Sequence, residues 1–215
     1  MGYGRFIKWG LAVACIAVAA AAGGCASVMD EQSCLAADWA TLGERDGAAG
    51  ETPDKFNQRA KACSGFGVAA DLASYDAGRN SGLSAYCTPE RGYEEGLSGR
   101  RYRGVCPIDL EPAFLEEFDI GAQLYALSGA FDAAVADYEA AVASLESNRY
   151  DLQRVRDRYN ENTLSDEERA KARDDMRFHR REIERLENDL PILEAQIDRA
   201  RGALDDFRAF LARRG

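Results

Sequence analysis

Histidine is nearly absent from this chain. One histidine, His179, stands among 215 residues, with two tryptophans, three methionines and five prolines. A single histidine excludes histidine-rich metal centres, and this one lies far along the C-terminal arm. No G-x-S-x-G elbow, H-E-x-x-H helix, phosphate loop or G-x-G-x-x-G turn is present either. Basic residues are also scarce, 27 against 37 acidic, for a net charge of −10. Such a surface repels phosphate backbones, so nucleic acid is excluded as a partner. Beyond Leu11 to Ala22 there is no long apolar run, and no C-x-x-C pair suggests zinc. No cofactor, metal or catalytic residue is expected.

What the sequence does contain begins with an address. Arg5 and Lys8 form a positive segment, Leu11 to Ala22 an apolar one too short to span a bilayer comfortably, and Ala22-Gly23-Gly24-Cys25 a small-residue cleavage site. The pattern resembles a bacterial lipoprotein signal, with Ala22 where leucine is usual, and implies lipid on Cys25. An ordinary secretory signal cut near Ala22 or Gly24 is the alternative. Loss of Arg5 and Lys8 leaves 25 basic against 37 acidic residues, a net charge of −12. Charge therefore does not hold the mature chain on a membrane, whereas acyl chains would.

Cys15 leaves with the signal and Cys25 takes the lipid, so Cys34, Cys63, Cys87 and Cys106 remain as an even set in an exported chain. Three pairings are possible. Cys34 with Cys63 and Cys87 with Cys106 is favoured, because near-sequential bridges each close one short excursion. Zinc is the rival use, but separations of 29, 24 and 19 residues suit it poorly.

The expected organisation is all-α: a signal over 1–24, a lipidated tether over 25–33, a disulfide-stapled helical head over 34–110 and a long hairpin over 111–215. In the head, Leu35, Trp39 and Leu42 recur at helical spacing with Gly43 closing the helix, and Asp46-Gly47 and Gly50 read as a loop. Thr52-Pro53-Asp54 and Thr88-Pro89-Glu90 are two start signals, the second predicting a helix over Pro89 to Leu97. Val68, Leu72, Tyr75 and Arg79 mark another helix. The densest stretch is Tyr75-x-x-Gly78-x-x-x-Gly82-Leu83-x-x-Tyr86-Cys87, repeated loosely as Tyr93-x-x-Gly96-x-x-Gly99-x-x-Tyr102. Glycines at this spacing mark close backbone approach or positive φ.

These residues carry a resemblance. Cys34-x-x-x-Asp38-Trp39, Gly43-x-x-Asp46-Gly47-x-x-Gly50, Tyr75-x-x-Gly78-Arg79-x-x-Gly82-Leu83-x-x-Tyr86-Cys87-Thr88 and Gly99-x-x-Tyr102-x-Gly104-Val105-Cys106-Pro107 resemble the bacterial family catalogued as domain of unknown function 2799. The resemblance covers about Cys34 to Leu127. It implies an envelope lipoprotein with no assigned activity, and implies nothing about the C-terminal arm.

That arm is a heptad text. Leu211, Leu204, Ile197, Leu190 and Ile183 fall on one position, and Phe207, Ala200, Leu193 and Leu186 on the other. Phe131, Val135, Tyr138, Val142 and Leu145 show the same spacing upstream, continuing to Leu152, Val155 and Tyr159. Between them Asn160 to Leu164 is polar, and Ser165 with Glu168 forms a capping box. Two helices joined by a short turn predict an antiparallel hairpin, with a kink at Pro191. His179, on a core position, reads as a satisfied polar residue that sets register rather than a ligand. Arg177, Arg180, Arg181 and Arg185, interleaved with Glu182, Glu184 and Glu187, read as a solvated face.

The remaining candidates for a polar cleft in the head are Asp38, Asp46, Tyr75, Arg79 and Tyr86, whose plainer role is capping and buried hydroxyl satisfaction. A calcium loop at Asp46-Gly47 has too few carboxylates. The leading functional expectation is a non-enzymatic, periplasm-facing lipoprotein of the outer membrane. Its partners would be the membrane through the lipid on Cys25, Ala26 lacking the aspartate of inner-membrane retention, and an envelope protein docked on the coiled coil. The alternative is a module that binds or hydrolyses a cell-wall fragment in the head.

Overall fold

A computed structural model of the chain describes residues 29–214. Cys15, Cys25, the signal over 1–24 and the start of the tether lie outside the described residues. The fold is all-α: α1 (Glu31–Leu35), α2 (Trp39–Ala48), α3 (Asp54–Ser64), α4 (Leu72–Tyr86), α5 (Pro89–Leu97), α6 (Glu111–Tyr159) and α7 (Asp166–Arg214). Among the described residues there is no strand.

Local chemistry sets most of these boundaries. Asp30, Asp38, Asp71 and Thr88 each turn a side-chain oxygen to free N–H groups of the next first turn, capping α1, α2, α4 and α5. Pro89 opens α5, where its missing N–H costs nothing. Two expectations fail at the first helix. Leu35, Trp39 and Leu42 are not on one helix, because Asp38 restarts the chain as a cap after α1 has ended. Nor does Gly43 close α2: the helix runs on through Gly43, Asp46 and Gly47 to Ala48. Glycine costs a helix roughly 1 kcal/mol per residue; here that cost is offset by what its missing side chain lets approach.

α2 and α4 cross with their backbones in contact. A Cβ at Gly43 or Gly47 would overlap the carbonyl of Tyr75 or Arg79, and one at Gly78 or Gly82 would overlap the carbonyl of Ala40 or Glu44. α5 and α6 cross the same way, with Gly92 and Gly96 under the carbonyls of Phe114 and Phe118, and Gly121 under that of Tyr93. Beside these crossings lie two apolar clusters. One gathers Met29, Cys34, Trp39, Cys63 and Tyr75, and the other Leu83, Tyr86, Cys87, Val105 and Phe114. The bridges Cys34–Cys63 and Cys87–Cys106, with Cα atoms 5.3 and 5.6 Å apart, sit in these clusters as the spacing predicted.

α6 leaves the head without a break and α7 returns along it. Arg201 lies over the Phe131 ring, the Tyr138 hydroxyl donates to Glu194, Arg149 pairs with Glu187, and Arg214 pairs with Glu116. The partners' numbers rise on one helix as they fall on the other, so the pairing is antiparallel from the turn back to the head. At 1.5 Å per residue, 49 residues make each helix on the order of 70 Å long. The turn is built as read: Ser165 and Glu168 exchange the reciprocal bonds of a capping box. Leu145, Leu186 and Leu204 are buried in the seam, and Asn148 Oδ1 lies 2.9 Å from Nδ1 of the core histidine His179. α7 stays one helix through Pro191.

Candidate functional site

The five polar candidates do not form one cleft. Asp38 lies apart on the surface, accepting from the Ala40 and Thr41 amides and the Thr41 hydroxyl, which hold its carboxyl below the usual range. It borders a shallow cavity of about 330 Å³ with Met29, Ala37, Leu42 and Arg45. Tyr86 lies at the other end of α4, its ring stacked on Phe114 at 5.4 Å. Burial first, and then the Glu95 carboxylate, raise the Tyr86 phenol above its ordinary value.

The structure brings Asp46, Tyr75 and Arg79 close together and adds Arg59. The Tyr75 hydroxyl donates to Asp46 Oδ2 at 2.7 Å, while Arg59 donates through Nε and Nη2 to both carboxylate oxygens at 2.8 and 2.7 Å. This bidentate fork is the geometry guanidinium offers a carboxylate. Burial opposes ionisation of Asp46, but the bonds from Arg59 and Tyr75 and the Arg59 charge outweigh it, holding the carboxyl below its ordinary 3.8. Burial, and then the bond to the Asp46 carboxylate, push the Tyr75 phenol far above its own ordinary value. Arg79 turns aside, its Nη2 donating to the Glu51 carbonyl at 2.9 Å, and its buried Nε has no partner. Asp46 is 4% and Tyr75 1% exposed, and only the Arg59 side chain, at 15%, reaches toward solvent. Chemically it can lock α2, α3 and α4 together, but it offers no approach for a substrate.

Arg59 was not singled out in the sequence. Its signal was there: it shares a helical face with Phe56, Ala60 and Cys63, and a cation on an apolar face implies a buried anion.

The glycine and tyrosine spacing is that of a duplication. Gly43, Asp46, Gly47 and Gly50 of the first helix pair recur 49 positions later as Gly92, Glu95, Gly96 and Gly99. Tyr75, Arg79, Gly82 and Tyr86 recur 39 positions later as Phe114, Phe118, Gly121 and Tyr125, each equivalent pair making the same contact. Gly50 at φ 62° faces the Tyr86 ring, and Gly99 at φ 69° faces the Tyr125 ring. The buried acid is kept too, since Glu95 is buried and pairs with Arg91 and Arg100 as Asp46 does with Arg59. Each unit carries its own disulfide. The loose repeat of Tyr75 to Tyr86 in Tyr93 to Tyr102 is therefore replaced by a longer one: the head is two copies of a Cys, glycine-helix, Cys, aromatic-helix unit. α3 occupies the gap between the two helices of the first copy, and a short irregular segment occupies that gap in the second.

This two-unit head is where a known family enters. Residues 38–123 match the family described as "Protein of unknown function (DUF2799)". The head is similar to this family over that stretch. The match runs from the cap of α2 to just beyond Gly121, so the matched stretch coincides with the two glycine crossings and stops where the arm begins. No curated protein and no solved structure matches the chain.

The four cysteines of the head are occupied in bridges, which removes the thiolates a zinc site would need. Among the described residues no group of His, Cys, Asp or Glu is placed to hold a metal. No described helix is long and apolar enough to cross a membrane.

Proposed function

We propose that this is a non-enzymatic lipoprotein of the bacterial envelope, periplasm-facing and held in the outer membrane by lipid on Cys25. Its head serves as a rigid base, and its hairpin as a spacer or protein-docking arm. One observation carries the reading. α6 belongs to both parts at once, its first turns crossing α5 inside the head and the rest forming half of the arm. A helix shared in this way transmits the position of the base to a tip on the order of 70 Å away, which suits a reach between layers.

Burial of Asp46 and Tyr75 supports this over a cell-wall binding or hydrolysing module, because an acid meant for substrate has to be reachable. Exposed Tyr150 and Phe178 on the arm are the residues a docking partner would cover.

The anchor is tested in cells by labelling with an alkyne analogue of palmitate and washing membranes with high salt. Label and membrane association that are both lost in Cys25→Ser are the expected result. A Cys25→Ser protein that still resists the wash excludes lipid as its anchor.

A further inference from the structure

The first described residues, four positions after Cys25, are packed against the head. Met29 is buried in the first cluster, its Sδ 3.7 Å from Cys63 Sγ, and Asp30 caps α1. Only residues 26–28 separate Met29 from Cys25. At roughly 3.5 Å per residue, the Cys25 Cα lies at most about 14 Å from that of Met29. With lipid on Cys25, this end of the head stays within that reach of the bilayer surface.

The same end exposes three large apolar side chains: Leu35 at 70%, Phe66 at 44% and Leu72 at 51%. Leu35 follows bridged Cys34, and Phe66 lies in the turn closed by its own N–H on the Cys63 carbonyl. Leu72 opens α4, one turn before Tyr75 of the same cluster, and Val68 and Ala70 between them pack on it. The exposed charged residues beside them are Asp30, Glu31, Lys61 and Asp71, and the cavity next to Met29 adds exposed Asp38 and Arg45, four acids and two bases. Anionic headgroups are therefore repelled, and what suits the patch is the apolar edge of a zwitterionic interface.

We infer that Leu35, Phe66 and Leu72 form a membrane-docking face that seats the head on a zwitterionic bilayer beside its own lipid anchor. This rests on lipidation of Cys25. α4 runs from this face to Tyr86, which stacks on Phe114 at the start of α6, so seating the face also sets the direction of the arm.

The test uses the full-length lipidated protein, purified from membranes and placed in phosphatidylethanolamine and phosphatidylcholine vesicles with brominated acyl chains. Phe66→Trp adds a surface indole, read as the difference from the parent, whose Trp39 is buried. The expected result is that the added emission shifts to the blue and is quenched at least twofold. Phe178→Trp on the arm stays unquenched, and anionic phosphatidylglycerol weakens the Phe66→Trp effect. Protein that floats with the vesicles while Phe66→Trp stays unquenched overturns the docking face and leaves the lipoprotein reading intact. Wild-type protein recovered from cells without acyl chains overturns both. Quenching of Phe66→Trp and Phe178→Trp alike shows non-specific adsorption and overturns the assigned face.

Discussion

Asp46 in α2 and Glu95 in α5 occupy the same place in two successive copies of one unit, each a buried acid one and three residues from glycines that touch the partner helix. Each is held by arginine, Asp46 by Arg59 and Glu95 by Arg91 and Arg100. The same lock is thus built twice in the head.

The glycine crossings give the sharpest prediction. Gly78→Ala, whose new methyl group would meet the Ala40 backbone, should destabilise the head by about 2 to 3 kcal/mol. Gly129→Ala and Gly202→Ala, where nothing lies within 4 Å, should stabilise the arm by up to about 1 kcal/mol each. Thermal unfolding of the three variants checks the signs, and equal effects at all three sites would show that the close approach is not the cause.

The bridges should matter only to the head. Each closes a short loop and contributes roughly 2 to 4 kcal/mol, enough in total to unfold a small domain when reduced. The arm beyond residue 123 has no cysteine. Helical circular dichroism on adding reductant should fall in part and keep the arm's share. A single transition that removes all helix would make the arm dependent on the head.

Acid should loosen the head through Asp46. Its folded-state carboxyl lies below 3.8, so its contribution is full above that value and is lost as pH falls through the lower folded value. Asp46→Asn should flatten the acid limb of the stability curve and lower the plateau at neutral pH, since Arg59 then keeps a buried charge without its anion. Denaturant midpoints from pH 7 down to about pH 2 measure this. An unchanged acid limb in Asp46→Asn would assign the loss to another carboxylate.

The hairpin should close within one chain. Leu186 and Leu145 are buried in the seam without a second copy, so the Cys25→Ser protein should scatter as a monomer at all concentrations. Leu186→Ala should cost the arm about 2 to 4 kcal/mol. Helix lost on dilution would instead place the seam between chains.

The sequence by itself determined whatever depends on neighbours along the chain. The caps at Thr88-Pro89, the Ser165–Glu168 box, the heptads from Ile183 to Leu211 and the near-sequential bridges were all legible, because each rests on spacing within a few turns or one short loop. Tertiary structure decided the rest. Gly43 and Asp46-Gly47 look like helix stop and loop, since glycine's local preference is against helix. Only the arrival of α4 makes a missing Cβ favourable there. The true register of the duplication stayed hidden because α3 lengthens one copy between its helices. The polar candidates separated for the same reason: Asp46 and Tyr75 meet across a crossing 29 residues long in sequence, while Asp38 and Tyr86 face opposite ends of it. Contact between distant helices is a property of the packed chain, and no local spacing encodes it.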